Sequence, residues 1–152
     1  MRTRAGIVLI QDQKVALIER FRAGLHYFVF PGGGMDEGET PEQAAVREAK
    51  EELGIEVGIR QKVAEIQLAS KSRQIYYLVE QTGGEFGTGT GEEYQDADPN
   101  DPDEGVYIPV WMPIEELTLH EKIFPREVVD LVLRSVMEGW SDVPTITFEE
   151  RR

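Results

Sequence analysis

The stretch at residues 31–55, PGGGMDEGETPEQAAVREAKEELGI, decides the fold, because it holds a helix whose start, buried face, charged face and end are each readable. Thr40 offers an N-cap hydroxyl, Pro41 fills the first helical position, and Gln43 stands where a capping box wants Glu or Gln. Ala45, Ala49 and Leu53 recur at helical spacing as an apolar stripe, and Gly54 suits the left-handed residue after a last turn. The pattern predicts a helix over 41–53. On its other face Glu48, Glu51 and Glu52 fall at i, i+3 and i+4, which at about 100° per residue gathers three carboxylates into one sector. Like charges at that spacing repel, so the cluster opposes folding until a cation neutralises it. Oxygen-only donors suit Mg or Mn, and Mg is commonly held by one or two carboxylates together with substrate phosphate oxygens. A divalent ion and a phosphate-containing substrate are therefore expected, with the turn Gly32-Gly33-Gly34, entered through Pro31, as part of the same device.

Outward from this helix, strands are expected at 5–10 and 14–20, joined as a hairpin, and at 27–30, ended by Pro31. Further strands are expected at 56–68, 74–80 and 106–111, a second helix at 125–137 with Val128, Val129, Leu131, Val132 and Val136 as its apolar surface, and a short edge strand at 145–148. Tyr76 and Tyr77 are adjacent in a strand and must point to opposite faces, so one of them is expected in the core. Residues 83–105 are rich in Gly, Asp, Glu, Asn and Pro and read as a long acidic loop inside a single domain spanning 1–152. Strands interleaved with two helices predict an α/β fold, a mixed β-sheet between helices.

The 152 residues include no cysteine, which excludes disulfides, thiolate nucleophiles and cysteine-ligated zinc. No apolar run approaches a membrane span. A soluble cytoplasmic protein with no membrane partner is expected. The formal net charge of −13 repels a polyanionic duplex, so no long nucleic acid is expected as partner, while a small anion bridged by a divalent ion remains compatible with an acidic chain. The run Asp96-Ala97-Asp98-Pro99-Asn100 imitates a calcium loop but has Asp101 where glycine is required, and reads as solvated loop.

Gly33, Glu39, Arg47, Glu48, Ala49, Glu51, Glu52, Gly54 and Ile55 match the spacing Gly-x5-Glu-x7-Arg-Glu-U-x-Glu-Glu-x-Gly-U, where U is bulky aliphatic, and this resembles the Nudix box. Ala49 is the one departure, smaller than the usual residue. The resemblance implies a Nudix-like α/β/α sandwich and a Mg- or Mn-assisted attack of water on a phosphorus of a diphosphate link. It implies that Glu48, Glu51 and Glu52 hold the metal with the backbone carbonyl of Gly32, while Arg47, Glu39, Gly33 and Gly54 keep loop and helix in register. It also implies a general base that is a box glutamate, Glu48 or Glu52, or a loop acid, for which Glu104 is preferred ahead of Glu93 and Glu92. Arg20, Arg22 and His26, ahead of the glycine turn, are candidates to reach a substrate phosphate or base, and Tyr76 or Trp111 to stack on a nucleobase.

The preferred substrate is a small nucleotide, a nucleoside triphosphate giving monophosphate and pyrophosphate; ADP-ribose or another nucleotide sugar is the alternative. A non-catalytic nucleotide sensor is a third reading, set back because every box carboxylate is intact. The isomerase chemistry known on related scaffolds wants a cysteine, and an RNA-end substrate has little electrostatic help here. Relatives are often homodimers, so a homodimer is compatible with the resemblance.

Overall fold

The local signals of residues 40–54 set the first helix where the sequence expects it. Thr40 Oγ1 accepts from the Gln43 N–H at 3.1 Å while the Gln43 side chain accepts from the Thr40 N–H at 2.9 Å, closing the capping box. At the other end Gly54 adopts φ 79° and its N–H bonds back to the Lys50 carbonyl, so α1 (Pro41–Leu53) has both ends fixed by its own sequence. The computed structural model describes residues 2–68, 71–89 and 105–149.

The strands are β1 (Arg2–Gln11), β2 (Lys14–Arg22), β3 (Leu25–Val29), β4 (Gly32–Gly34), β5 (Ile55–Leu68), β6 (Ser72–Gly84), β7 (Val106–Pro113), β8 (Ile123–Phe124) and β9 (Thr145–Glu149), and the second helix is α2 (Arg126–Glu138). Their order is β8-β3-β2-β1-β6-β5-β9, with β4 beside β1 and β7 beside β2. The sheet is mixed: β1 runs parallel to β6 and β5 parallel to β9, while β2 is antiparallel to both β3 and β7. β1 and β2 pair only at Ile10↔Val15 and Gln11↔Lys14, beside the turn of Asp12 and Gln13. Beyond that point they part. β4 takes the freed edge of β1, at Arg4 to Gly6, and a cleft opens between the two halves of the sheet.

Strand alternation fills a core on each face. Ile7, Leu9, Ala16, Ile18, Ile75, Tyr77 and Val79 pack with Ala44, Ala45, Ala49 and Leu53 of α1. Val8, Val15, Leu17, Phe28 and Tyr76 pack with Val128, Val129, Leu131 and Val132 of α2. Each fully buried Val, Leu or Ile contributes about 1.5–3 kcal/mol, so these two layers, not the charged groups, hold the sheet together.

Four expectations change. The three glycines form the short strand β4 and not merely a turn, because β1 lies alongside to pair with them. Tyr76 and Tyr77 are both buried, since the sheet is covered on both faces. Val136 is exposed at the end of α2 and adds nothing to the core. β6 continues to Gly84, pairing with Ile55, so the expected loop starts later. Its residues 90–104 lie outside the described residues, as do Glu92, Glu93, Glu104 and the calcium-like run. Among the described residues no helix is long and apolar enough to cross a membrane.

Candidate active site

The site is built where α1 meets β4. The Gly32 N–H donates to Glu52 Oε1 at 2.6 Å, tying the only deeply buried carboxylate of the helix, 7% exposed, to the glycine strand. A Cβ on Gly32 would stand 2.6 Å from Gly6 Cα, and one on Gly33 2.6 Å from Glu48 Cδ. Gly32 needs glycine because the backbone of β1 occupies the space, whereas at Gly33 a side chain would push the Glu48 carboxylate aside. The strand is thus a mould for two carboxylates.

Arg47 organises the remaining acids. Its Nε and Nη2 donate to the two oxygens of Glu39 at 2.7 and 3.0 Å, a bidentate pair. Nη1 donates to Glu48 Oε1 at 2.8 Å and Glu51 Oε2 at 3.0 Å, and Nη2 also reaches the Gly34 carbonyl at 2.9 Å. Glu39 accepts the Asp36 N–H as well, and these bonds, the Arg47 one foremost, hold its carboxyl below the ordinary carboxylate value. The same bond to Glu39 raises Arg47 above its usual range, so its charge is fixed. Loop 34–39, β4 and α1 are therefore clamped around one guanidinium.

The three carboxylates also have a partner that the spacing argument left out. Arg47 is itself the cation that neutralises Glu48 and Glu51, and among the described residues no three acids or histidines gather tightly enough to hold an ion by themselves. Glu51 turns to Arg47, whereas Glu48 and Glu52 line a cavity with Gly32 and Gly33. Two hard carboxylates facing a cavity still fit Mg or Mn, which would complete its shell with substrate and water oxygens.

The cavity, about 840 Å³, occupies the cleft where β1 and β2 part. Among the described residues, Arg4, Arg20, Arg22 and Arg126 line it against three acids, Glu48, Glu52 and Glu127, a concentration of cations in a chain that is strongly acidic. Arg20 is 8% exposed, with its guanidinium 3.6 Å from the centre of the Tyr107 ring. Arg20 and Arg22 thus stand where the sequence reading expects substrate contacts.

His26 does not. Phe21 and His26 are cross-strand partners on the opposite face of β2 from Arg20, and the histidine ring stacks on Phe21 at 4.3 Å with its Nε2 2.7 Å from Glu19 Oε2. It lines a separate, smaller pocket with Phe28 and His120. Tyr76 reaches the cavity wall, but its ring is packed in the core, edge-on to Phe30, and its hydroxyl donates to Gln74 Oε1 at 2.9 Å. Burial raises that hydroxyl above its usual range. It offers no open face to a nucleobase. Trp111 is likewise core, stacked on Phe86 at 4.5 Å.

The sequence reading missed Arg4, Arg126, Tyr27 and Tyr107. The signal for Tyr27 was the pair Ala23-Gly24, which closes a second hairpin and sets Tyr27 opposite Arg20, whereas Tyr107 arrives from β7 through a long-range pairing. Gly105, where the described chain resumes, packs beside Arg22, further along β2: a Cβ there would lie 2.9 Å from Arg22 Cβ.

A mixed sheet between two helices, with an acid-bearing helix moulded to a glycine strand at a cleft lined by arginines and glutamates, defines an α/β sandwich domain. A family model, the NUDIX domain, matches residues 1–132, and the chain belongs to the Nudix family. An RNA pyrophosphohydrolase of Pseudoalteromonas translucida is 44% identical over 77 residues, 51% of this chain and 42% of that protein. One of Tolumonas auensis, also an RNA pyrophosphohydrolase, is 48% identical over 54 residues, 36% of this chain and 30% of that protein. The matched segments thus span less than half of these curated relatives. Among solved structures, an ADP-ribose pyrophosphatase of Streptococcus suis superposes with a TM-score of 0.66 at 18% identity, covering 97% of this chain and 98% of that one. A NUDIX hydrolase of Nitrosomonas europaea gives 0.69 at 21%, covering 99% and 79%. At these identities the likeness is one of fold.

Proposed function

We propose that this chain is a Mg- or Mn-dependent pyrophosphohydrolase that cleaves the diphosphate link of a small nucleotide, preferring a nucleoside triphosphate and releasing monophosphate and pyrophosphate. The observation that carries it is the cavity, in which two box carboxylates and Gly32 face four arginines. Glu48 and Glu52 would hold the ion, with Gly32 beside them. Bound there, a divalent ion neutralises phosphate charge and lowers the pKa of a water.

The protein's own groups supply the rest. The Gly32 N–H fixes Glu52 at one oxygen, leaving the carboxylate oriented toward the cavity. Arg47 pairs with Glu48 and Glu51 and holds the helix to the loop, as a positioning group rather than a reacting one. Arg20 and Arg22, on the cavity wall, offset the negative charge of the substrate's phosphates. The proton of the attacking water is assigned to Glu52 or Glu104; a base of this kind contributes typically about 10²–10⁴-fold.

Two other readings have support. The Streptococcus suis structure, an ADP-ribose pyrophosphatase with the same fold over nearly the whole chain, favours a nucleotide sugar. The relatives named RNA pyrophosphohydrolase favour a triphosphorylated RNA end, and the arginine-lined cavity answers the electrostatic objection that net charge raised. The deciding experiment incubates the protein and Mg with nucleoside triphosphates, nucleotide sugars and a 5′-triphosphorylated oligonucleotide, and resolves the products by chromatography. Monophosphate and pyrophosphate from the free triphosphate are expected. A sugar phosphate product would move the assignment to nucleotide sugars, and no turnover with any of them would leave a sensor.

A further inference from the structure

Arg20 differs from the other cations of the cavity. It sits directly opposite Tyr27 of β3 and Tyr107 of β7 in the strand register, and its guanidinium lies 5.7 and 3.6 Å from the centres of their rings. The rings steady the plane of the guanidinium and leave its edges for hydrogen bonds. The side chain is more than nine-tenths buried, yet Nε and Nη2 find no hydrogen-bond partner among the described residues. These two nitrogens share one edge of the guanidinium, with near-parallel N–H bonds, the fork that grips two oxygens of a single phosphate. A buried donor without a partner is destabilising, so a ligand that completes this edge is bound with particular advantage.

The chemistry of the cavity says which phosphate that is. A bridging phosphate has two non-bridging oxygens, and in a metal-assisted cleavage these face the ion at Glu48 and Glu52. A terminal phosphate has three oxygens and carries close to two negative charges at neutral pH. It alone can give two oxygens to a guanidinium edge and keep a third for a neighbouring cation such as Arg22, which lines the same cavity.

We infer that the Nε–Nη2 edge of Arg20 receives the terminal phosphate of the substrate, so that the cavity selects a triphosphate over a nucleotide sugar. This rests on reading the cavity as a phosphoric-anhydride site, and the test separates the two. Inorganic triphosphate in EDTA is the probe, followed by thermal melting of wild type, Arg20→Lys and Arg20→Met. The probe is expected to raise the melting temperature of wild type, to do so less in Arg20→Lys, and not at all in Arg20→Met. Arg20→Met without probe is expected to melt no lower than wild type, because it removes a buried charge whose donors are unmet. With Mg, the ratio of kcat/KM for a nucleoside triphosphate over a nucleotide sugar should fall by roughly 10-fold or more in Arg20→Lys, chiefly through KM. Equal melting shifts in all three proteins, or an unchanged ratio, would overturn the inference. Should Arg20→Met fold poorly, Arg20→Lys carries both measurements. An Arg20-dependent shift with no hydrolysis of any nucleotide would keep the inference and remove the catalytic reading; hydrolysis indifferent to Arg20 would do the reverse.

Discussion

Two arginines, Arg47 on α1 and Arg20 on β2, are partnered in opposite ways. Arg47 is saturated, bonded to Glu39, Glu48, Glu51 and the Gly34 carbonyl, whereas the more deeply buried Arg20 is held by two aromatic rings and leaves one edge without a partner among the described residues. A charge whose hydrogen bonds are all met inside the protein serves the fold. A buried charge whose donors remain open serves a ligand. The contrast divides the site into a clamp that shapes the carboxylates and an arginine-bearing wall that, in the proposed function, receives the substrate's phosphates.

The largest expected effect is on chemistry. Glu52→Gln keeps the shape of the side chain but removes charge from the buried member of the pair, and turnover should fall by about 10²-fold or more at saturating Mg with the circular dichroism unchanged. Near-normal kcat would move the essential charge elsewhere. Glu104→Ala should cost a similar factor if the loop acid is the base, and an unchanged kcat would leave Glu52 as the assigned base.

Breaking the clamp should act on stability more than the cavity wall does. Arg47→Ala leaves Glu39, Glu48 and Glu51 facing one another, and urea unfolding should show a loss of about 1.5–3 kcal/mol, the range for hydrogen bonds to charged groups. A loss as small as that of an exposed ion pair would mean that solvent already screens the cluster. Gly33→Ala tests the mould: its Cβ would displace the Glu48 carboxylate, so the Mg concentration needed for half-maximal rate should rise by about 10–100-fold with little change in folding.

The acid limb of stability sharpens the comparison further. Glu39 has its folded pKa depressed by Arg47, so its contribution is present above the unfolded value of 4.5 and is lost as pH falls from there through the lower folded value. Unfolding measured from neutral pH downward should show this loss in wild type and a shallower one in Arg47→Ala. The smallest effect is expected at His26→Ala. That side chain faces away from the cavity and should change kcat/KM by no more than about 2-fold, whereas a large loss would contradict its placement on the Phe21 face.

What was legible in the sequence is what is local. Capping residues, the Ala/Leu stripe and the glycine stop of α1 all lie within a few residues of what they control, and helix bounds, capping box and left-handed Gly54 agree with the reading. β4 was hidden because three glycines carry no strand signal of their own and pair only because β1 is there. His26 was misplaced since its side is set by the register of β2 on β3, which one residue of slip would invert. The role of Arg47 as internal counter-ion was open to view, one residue before Glu48 and four before Glu51, but spacing among the acids alone drew attention to a metal. The Tyr27-Arg20-Tyr107 row joins residues from three strands, and no local pattern announces it.

Titration of Mn into the protein with inorganic pyrophosphate present, followed by the electron paramagnetic resonance of the free ion, tests the central assignment directly. Wild type should take up Mn only weakly alone and more tightly with pyrophosphate, and the Glu48→Gln, Glu52→Gln double variant should lose that gain. Uptake equal in both proteins would contradict the assignment of these two carboxylates as the metal-holding pair.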